Sequence, residues 1–321
     1  MLMFIYLLFV LLFSFIFYFA SLKFGFVDKP DLKLKNHARP TSFVGGVFIF
    51  ASYFLGYFLF DLDFSIFRLV FWSVISLFVG FYDDINRLGY KIKLVLQLIL
   101  SFLFLLSEFD LSLMFIPYLL FMIVLMNSIN IIDNYNGVSG FSYLFSFFVL
   151  YLLEFITLTE LSFFIIPLLV FLFANARKPG KALLFLGNNG SYAFGFLLTS
   201  IFLKRSNHGS VDIIDLDFHL YNLILIFLPY ILDTTVVFVT RLVKRMNPLK
   251  GSHDHLSHIL LNLNFKPFLI GPVLFLVFQI FSFYFLFFEF SSFNLFILII
   301  SVIFISALLI TERVKKFKNE K

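Results

Sequence analysis

Apolar runs long enough to cross a bilayer follow one another along almost the whole chain, and this succession constrains the fold more than any single motif. A membrane-spanning helix needs about 20 mostly apolar residues. The opening run MLMFIYLLFVLLFSFIFYFA carries no charge and does not alternate. An outer-membrane strand would alternate polar with apolar residues over about ten positions. Charged residues make up 13% of the chain, against about 25% in soluble domains, which excludes a water-soluble globule. Disorder is excluded too, because 61% of the residues are hydrophobic. Cysteine is absent, so there is no disulfide scaffold, thiolate metal site or cysteine nucleophile.

Helices are predicted at 1–22, 43–60, 64–82, 93–107, 112–127, 137–153, 161–174, 191–203, 218–240, 267–288 and 293–311. The chain therefore reads as an all-α polytopic integral membrane protein. It has about eleven transmembrane helices and one transmembrane domain over 1–321, with no soluble domain and no internal repeat. The first run lacks a basic n-region and a small-residue cleavage site, so it reads as a retained helix rather than a signal peptide.

The polar breaks sort by charge. Of the 24 Lys and Arg residues, only Arg68, Lys204 and Arg205 lie outside the segments 23–41, 83–93, 127–136, 175–190, 241–266 and 312–321. The other breaks hold acidic groups such as Asp61/Asp63, Glu108/Asp110 and Asp212/Asp215/Asp217. Basic loops stay cytoplasmic, which places the N-terminus outside and the C-terminus in the cytoplasm. That orientation needs an odd number of spans, in agreement with eleven. The basic tail ERVKKFKNEK reads as an anchor on an anionic leaflet.

The unusual polar residues collect in the breaks assigned to the cytoplasm. Asp83 and Asp84 close the third predicted helix, with Arg87, Lys91 and Lys93 after them. Adjacent carboxylates repel unless a cation or proton relieves them. They suit phosphoryl chemistry as proton acceptors or Mg²⁺ ligands, and equally suit a solvated helix end. Asn127, Asn130 and Asp133 recur every three residues and share a helix face; the Asn134-Tyr-Asn136-Gly137 run after them reads as a turn. Their oxygens suit a metal, a ribose or a base, or simply a polar turn. Gly187-Asn188-Asn189-Gly190-Ser191 reads as an anion-binding entry to a helix, or as an ordinary N-cap. His253, His255 and His258 lie among Arg241, Lys244, Arg245 and Lys250. The spacing is not that of a zinc protease, so an anionic ligand such as a diphosphate fits better than zinc.

In order, these motifs resemble the polyprenyl-phosphate N-acetylhexosamine-1-phosphate transferases of glycosyltransferase family 4 type. That group includes the lipopolysaccharide and teichoic-acid initiating enzymes and the peptidoglycan translocase. The resemblance runs over about 36–264. It is carried by His37-Ala-Arg39-Pro-Thr41 with Gly45-Gly46, GFYDDINRLGYKIKLVLQ at 80–97 and NSINIIDNYNG at 127–137. LGNNGSYAFGFLL at 186–198, DTTVVFVTRL at 233–242 and GSHDHLSHILL at 251–261 complete it.

The resemblance implies transfer of HexNAc-1-phosphate, GlcNAc-1-phosphate above all, from a UDP-N-acetylhexosamine to undecaprenyl phosphate. UMP is released, and the product initiates a lipid-linked glycan such as O-antigen lipopolysaccharide. It implies Mg²⁺, or Mn²⁺ in its place, and a multi-pass location in the bacterial cytoplasmic (inner) membrane with the active site on the cytoplasmic face. Catalytic roles fall to Asp83, Asp84, Lys93, Asp133, His255 and His258, and substrate contacts to Asn130, Asn136, Lys91, His253 and Arg39. Metal contacts fall to Asn130 and Asn188. The expected partners are the UDP-sugar, the lipid phosphate and the bilayer, with no nucleic acid; a homodimer is compatible. The sequence departs from the usual G-D-x-G-S loop at Asn188, and from the D-G-x-D-G motif at Asn134 and Asn136. A peptidoglycan translocase and an inactive relative are the alternatives within the family, and a secondary transporter is the alternative of another class.

Overall fold

The computed structural model describes residues 1–29, 39–111, 114–178, 180–206, 213–243, 245, 255–262 and 265–287. Its helices are α1 (Leu2–Phe24), α2 (Gly45–Phe60), α3 (Phe64–Asn86), α4 (Tyr90–Glu108), α5 (Phe115–Ile132), α6 (Val138–Leu152), α7 (Leu158–Asn175), α8 (Gly187–Ser206), α9 (Ile213–Val243), α10 (Leu256–Asn262) and α11 (Ile270–Phe287). Each of the first ten predicted helices has its counterpart, and α10 is an addition. The predicted helix at 293–311, the basic tail and His253 lie outside the described residues. Among the described residues, six helices are long and apolar enough to cross a membrane: α1, α3, α4, α5, α7 and the 222–242 stretch of α9. The chain is a multi-pass, mostly helical membrane protein.

Two facts about burial explain the arrangement. The apolar faces of α1, α4 and α5 point outward, with Leu8, Phe15, Leu94, Ile99, Ile116 and Val124 exposed. Soluble monomers rarely show apolar surface on this scale, and a bilayer is the solvent that accepts it. By contrast, α8 is the central helix: every residue from Asn189 to Leu203 is buried. It packs against α2, α3, α5 and α6. Its first residues, GNNGS, are small or polar, so α8 reads in sequence like a loop followed by a short span.

Aromatic rings fill much of the space around α8. Tyr143 stacks on Phe194 at 4.3 Å and Phe147 on Phe164 at 4.7 Å, while the Tyr53 hydroxyl donates to the Phe164 carbonyl at 2.8 Å. Some buried hydroxyls bond the preceding helical turn, as Ser73 does to the Leu69 carbonyl and Thr199 to that of Gly195. Two short strands, β1 (Val27–Asp28) and β2 (Thr41–Ser42), pair antiparallel, and Ser42 also bridges to Leu184. These segments brace the end of the bundle where α8 begins.

The opposite end accounts for the three basic residues that broke the charge pattern. Glu108 takes Arg68 at 3.1 Å and also pairs with Lys204, while Glu160 takes Arg205 at 3.0 Å. These pairs tie the far ends of α3, α4, α7 and α8 together. The candidate site residues that the structure describes gather at the near end.

Candidate active site

The α3–α4 turn is built around Asp83. Its backbone carbonyl accepts from Arg87 N at 2.8 Å, with Arg87 in the left-handed conformation that ends α3. Its side-chain Oδ1 accepts from Leu88 N at 2.8 Å. Oδ2 meets Lys93 Nζ at 2.7 Å, from the first turn of α4, and accepts the Tyr192 hydroxyl of α8 at 3.2 Å. The Asp83 carboxylate is inaccessible, whereas the Lys93 side chain remains 28% exposed. A carboxylate removed from water needs this set of partners, and Lys93 is the member of the set that can also reach a ligand.

Asp84 faces elsewhere, since neighbouring helical residues diverge by about 100°. Its Oδ1 accepts from Asn188 N at 2.9 Å, and Oδ2 accepts from Asn189 N at 3.0 Å and Asn189 Nδ2 at 2.7 Å. The first N–H groups of a helix lack internal partners and carry positive partial charge. Asp84 therefore caps α8 from another helix, at a sequence distance of 104 residues. The acidic pair is two separate devices, one closing the α3–α4 turn and one holding α8.

Glycines permit this approach. A Cβ on Gly80 would lie 2.3 Å from the Asn188 carbonyl oxygen, and one on Gly46 would lie 2.3 Å from Gly190 Cα. Gly45 N and Gly46 N donate to the Phe185 and Leu186 carbonyls at 3.0 and 3.1 Å. The Gly45-Gly46 motif is thus a packing feature that seats α2 against the entry to α8.

The asparagine-rich segment ends α5 and enters α6. Asn127 Nδ2 donates to Gln97 Oε1 on α4 at 2.8 Å, and Ser191 Oγ donates to Asn130 Oδ1 at 2.6 Å. Asp133 follows the last turn of α5 and accepts the Ser139 hydroxyl on Oδ1 at 2.6 Å. Burial pushes its carboxyl up to about 6, with the Ser139 bond opposing the shift. Its Oδ2 accepts nothing from the described residues, unlike either oxygen of Asp83 or Asp84. Asn136 Nδ2 donates to the Arg177 carbonyl at 3.2 Å. It therefore serves to hold two loops together, as does Asn175, whose Oδ1 accepts from Gly137 N at 2.7 Å.

The histidine segment docks on this same end. His255 Nδ1 lies 2.8 Å from Asp233 Oδ2 on α9, and Leu256 N donates to Asp233 Oδ1 at 2.8 Å. Ser257 Oγ donates to Asn134 Oδ1 at 2.5 Å, and the His258 ring meets Tyr135 edge-on at 6.2 Å. The two histidine rings are 6.0 Å apart. His255 and His258 thus sit beside the loop that follows Asp133. Asn188 is half-buried at the α8 entry, bridged to Asn130 through Ser191, which contacts both. Lys91 and Arg39 are exposed.

Asp233 and Tyr192 were not singled out from sequence. Asp233 had a usable signal, because a lone carboxylate within an apolar helix is costly and demands a partner. Tyr192 had none, since one Tyr among 14 in an aromatic-rich chain is unremarkable until its hydroxyl is placed.

A cationic Lys93, a helix N-terminus, an uncommitted carboxylate oxygen and an oriented histidine thus share one end of an apolar bundle. The model of glycosyl transferase family 4 matches residues 66–206. An undecaprenyl-phosphate alpha-N-acetylglucosaminyl 1-phosphate transferase of Thermotoga maritima is 29% identical over 244 residues, covering 74% of this chain and 73% of that one. A phospho-N-acetylmuramoyl-pentapeptide-transferase of Petrotoga mobilis is 30% identical over 218 residues, covering 57% and 67%. With its motifs, its helical membrane fold and these relatives in agreement, the chain belongs to glycosyl transferase family 4, and both of these relatives are phosphosugar transferases.

Proposed function

We propose that this protein transfers N-acetylhexosamine-1-phosphate, GlcNAc-1-phosphate in the first instance, from a UDP-sugar to undecaprenyl phosphate. The reaction would initiate a lipid-linked cell-surface glycan. The observation that carries this reading is the gathering of Lys93, Asp133, the Asp84-capped α8 entry and the Asp233-oriented His255 at one end of a membrane bundle. The Thermotoga relative, named for undecaprenyl phosphate and N-acetylglucosaminyl 1-phosphate transfer, supports the donor and acceptor.

In this reaction an oxygen of the lipid phosphate attacks the β-phosphorus of the UDP-sugar. The bond from that phosphorus to the bridging oxygen breaks, and UMP leaves with the bridging oxygen. Such transfers depend on positioning and charge neutralisation more than on covalent chemistry. Lys93 is assigned to a phosphate of the substrates. His255, with Nδ1 turned to Asp233, presents its other ring nitrogen to the diphosphate, and His258 lies beside it. A phosphate monoester is largely ionised near pH 7, so no base is required of Asp83 or Asp84, whose oxygens already accept other donors.

Mg²⁺ fits the donor set. Its sites commonly join one or two carboxylates to substrate phosphates and water. Asp133 offers the uncommitted oxygen, and the Asn130 amide oxygen lies at the α8 entry, bonded to Ser191, whose hydroxyl also contacts the Asn188 backbone carbonyl. Among the described residues no three His, Asp or Glu side chains form a metal cluster, so the remaining ligands are assigned to the diphosphate and water. When bound, the ion would neutralise charge developing on the departing UMP. Transfer measured against Mg²⁺ concentration should show a lower half-saturating concentration for Asn188→Asp than for the wild type.

The polar end is assigned to the cytoplasmic face of the bacterial inner membrane. The natural absence of cysteine makes the test clean. An impermeant thiol reagent should label Leu111→Cys, not Tyr90→Cys, in intact spheroplasts; the reverse pattern contradicts the assignment. The Petrotoga relative favours UDP-MurNAc-pentapeptide as a second donor reading. Competing the two donors and identifying the lipid product by mass spectrometry decides between them. No lipid product from either donor contradicts the proposed function.

A further inference from the structure

We propose that Tyr192 is a positioning residue that lets Lys93 leave Asp83 for a substrate phosphate. The inference rests on the assignment of Lys93 to substrate phosphate for its activity readout. Tyr192 is 1% exposed on α8, and its hydroxyl donates to the oxygen of Asp83 that also holds Lys93, at 3.2 and 2.7 Å. The Asp83 carboxylate is inaccessible to solvent, so water cannot replace a departing partner without rearrangement. When Lys93 swings to an anionic ligand, Oδ2 would lose its only cation among the described residues. The Tyr192 hydroxyl keeps that oxygen bonded while Leu88 N keeps the other. An uncompensated buried charge is the costly state, and Tyr192 removes it from the path.

The arrangement has three parts on three helices. Asp83 on α3 stores the lysine, Lys93 on α4 moves, and Tyr192 on α8 remains. Asp84, the neighbouring charge, is engaged by Asn188 and Asn189 and is not available to take over. Tyr192→Phe keeps the ring and its packing and deletes only the donor. In that variant Lys93 becomes the sole side-chain partner of Oδ2 among the described residues and is held there.

The test uses the full chain in detergent and two readouts. Amine acetylation followed by mass spectrometry reports the reactivity of Lys93 relative to exposed Lys91 in the same molecule. The Tyr192→Phe variant should acetylate at Lys93 at least threefold more slowly than wild type, with the Lys91 rate unchanged. In the transfer assay, Tyr192→Phe should lower kcat/KM about tenfold in the wild-type background and by less than twofold in a Lys93→Ala background. Unchanged or faster acetylation of Lys93, or an equal loss in both backgrounds, overturns the proposal. A wild type without transfer activity would refute the proposed function while leaving the acetylation readout intact.

Discussion

Replacing Asp84 by Ala isolates the contact that ties α3 to the central helix. The change removes the acceptor of three N–H groups, on Asn188 N, Asn189 N and Asn189 Nδ2, now 2.9, 3.0 and 2.7 Å from the carboxylate, although Nδ2 keeps its other bond, to the Phe43 carbonyl. A hydrogen bond to a charged group contributes about 1.5–3 kcal/mol. The three share one half-buried carboxylate, and water that enters the gap recovers part of the loss. A helix cap alone is worth about 0.5–2 kcal/mol, which sets the lower bound. The expected loss is therefore about 3 kcal/mol.

Trp72, the single tryptophan, lies on α3 edge-on to Phe104 and gives a native fluorescence signal for SDS-induced unfolding in mixed micelles. Asn189→Ala supplies the double-mutant cycle. Because Asp84 and Asn189 are in direct contact, their coupling should be at least about 1 kcal/mol. Asp84→Asn should fall between wild type and Asp84→Ala, since its amide retains one acceptor but sets an NH₂ against the Asn189 donors. A loss below about 0.5 kcal/mol with no coupling would refute the capping role.

Gly80→Ala forces a methyl within 2.3 Å of the Asn188 carbonyl oxygen; transfer should fall more than tenfold, with about 1–3 kcal/mol lost from overpacking. Gly89→Ala, where a Cβ meets nothing within 4 Å, is the control and should cost less than about 1 kcal/mol. The kcat/KM profile should lose activity as pH falls through about 6, where Asp133 takes up its proton, and Ser139→Ala should move that limb to higher pH because the serine hydroxyl favours the ionised form. Desolvation raises the Asp133 carboxyl above its unfolded value of 3.8, so its contribution to folding should weaken as pH rises from there through about 6. At the far end, Glu108→Gln should cost about 2–3 kcal/mol by leaving Arg68 and Lys204 without their shared carboxylate, while kcat/KM changes less than about twofold.

Much of this arrangement was legible because charge is costly in a bilayer. Long apolar runs located the helices, and the few polar clusters located the near end of the bundle. What the chain order concealed was pairing over distance. Asp83 and Asp84 read as one acidic pair, yet adjacent side chains on a helix diverge, and each found a different partner. The Gly187–Ser191 string read as a loop because its own residues carry little hydropathy; it is the first turn of α8 because Asp84, Gly46 and Gly80 accommodate it from two other helices. His255 was read from its neighbours in sequence, whereas its orientation comes from Asp233 on α9. Arg68, Lys204 and Arg205 looked like exceptions to the charge pattern until Glu108 and Glu160 were placed beside them.

The most direct test of the central claim is the identity of the nucleotide released when the purified full chain meets UDP-GlcNAc and undecaprenyl phosphate with Mg²⁺. Attack at the β-phosphorus predicts UMP in one-to-one amount with a diphosphate-linked lipid sugar, and Lys93→Ala should suppress both products together. Release of UDP with a monophosphate-linked lipid sugar, or no nucleotide release at all, would contradict sugar-1-phosphate transfer at this site.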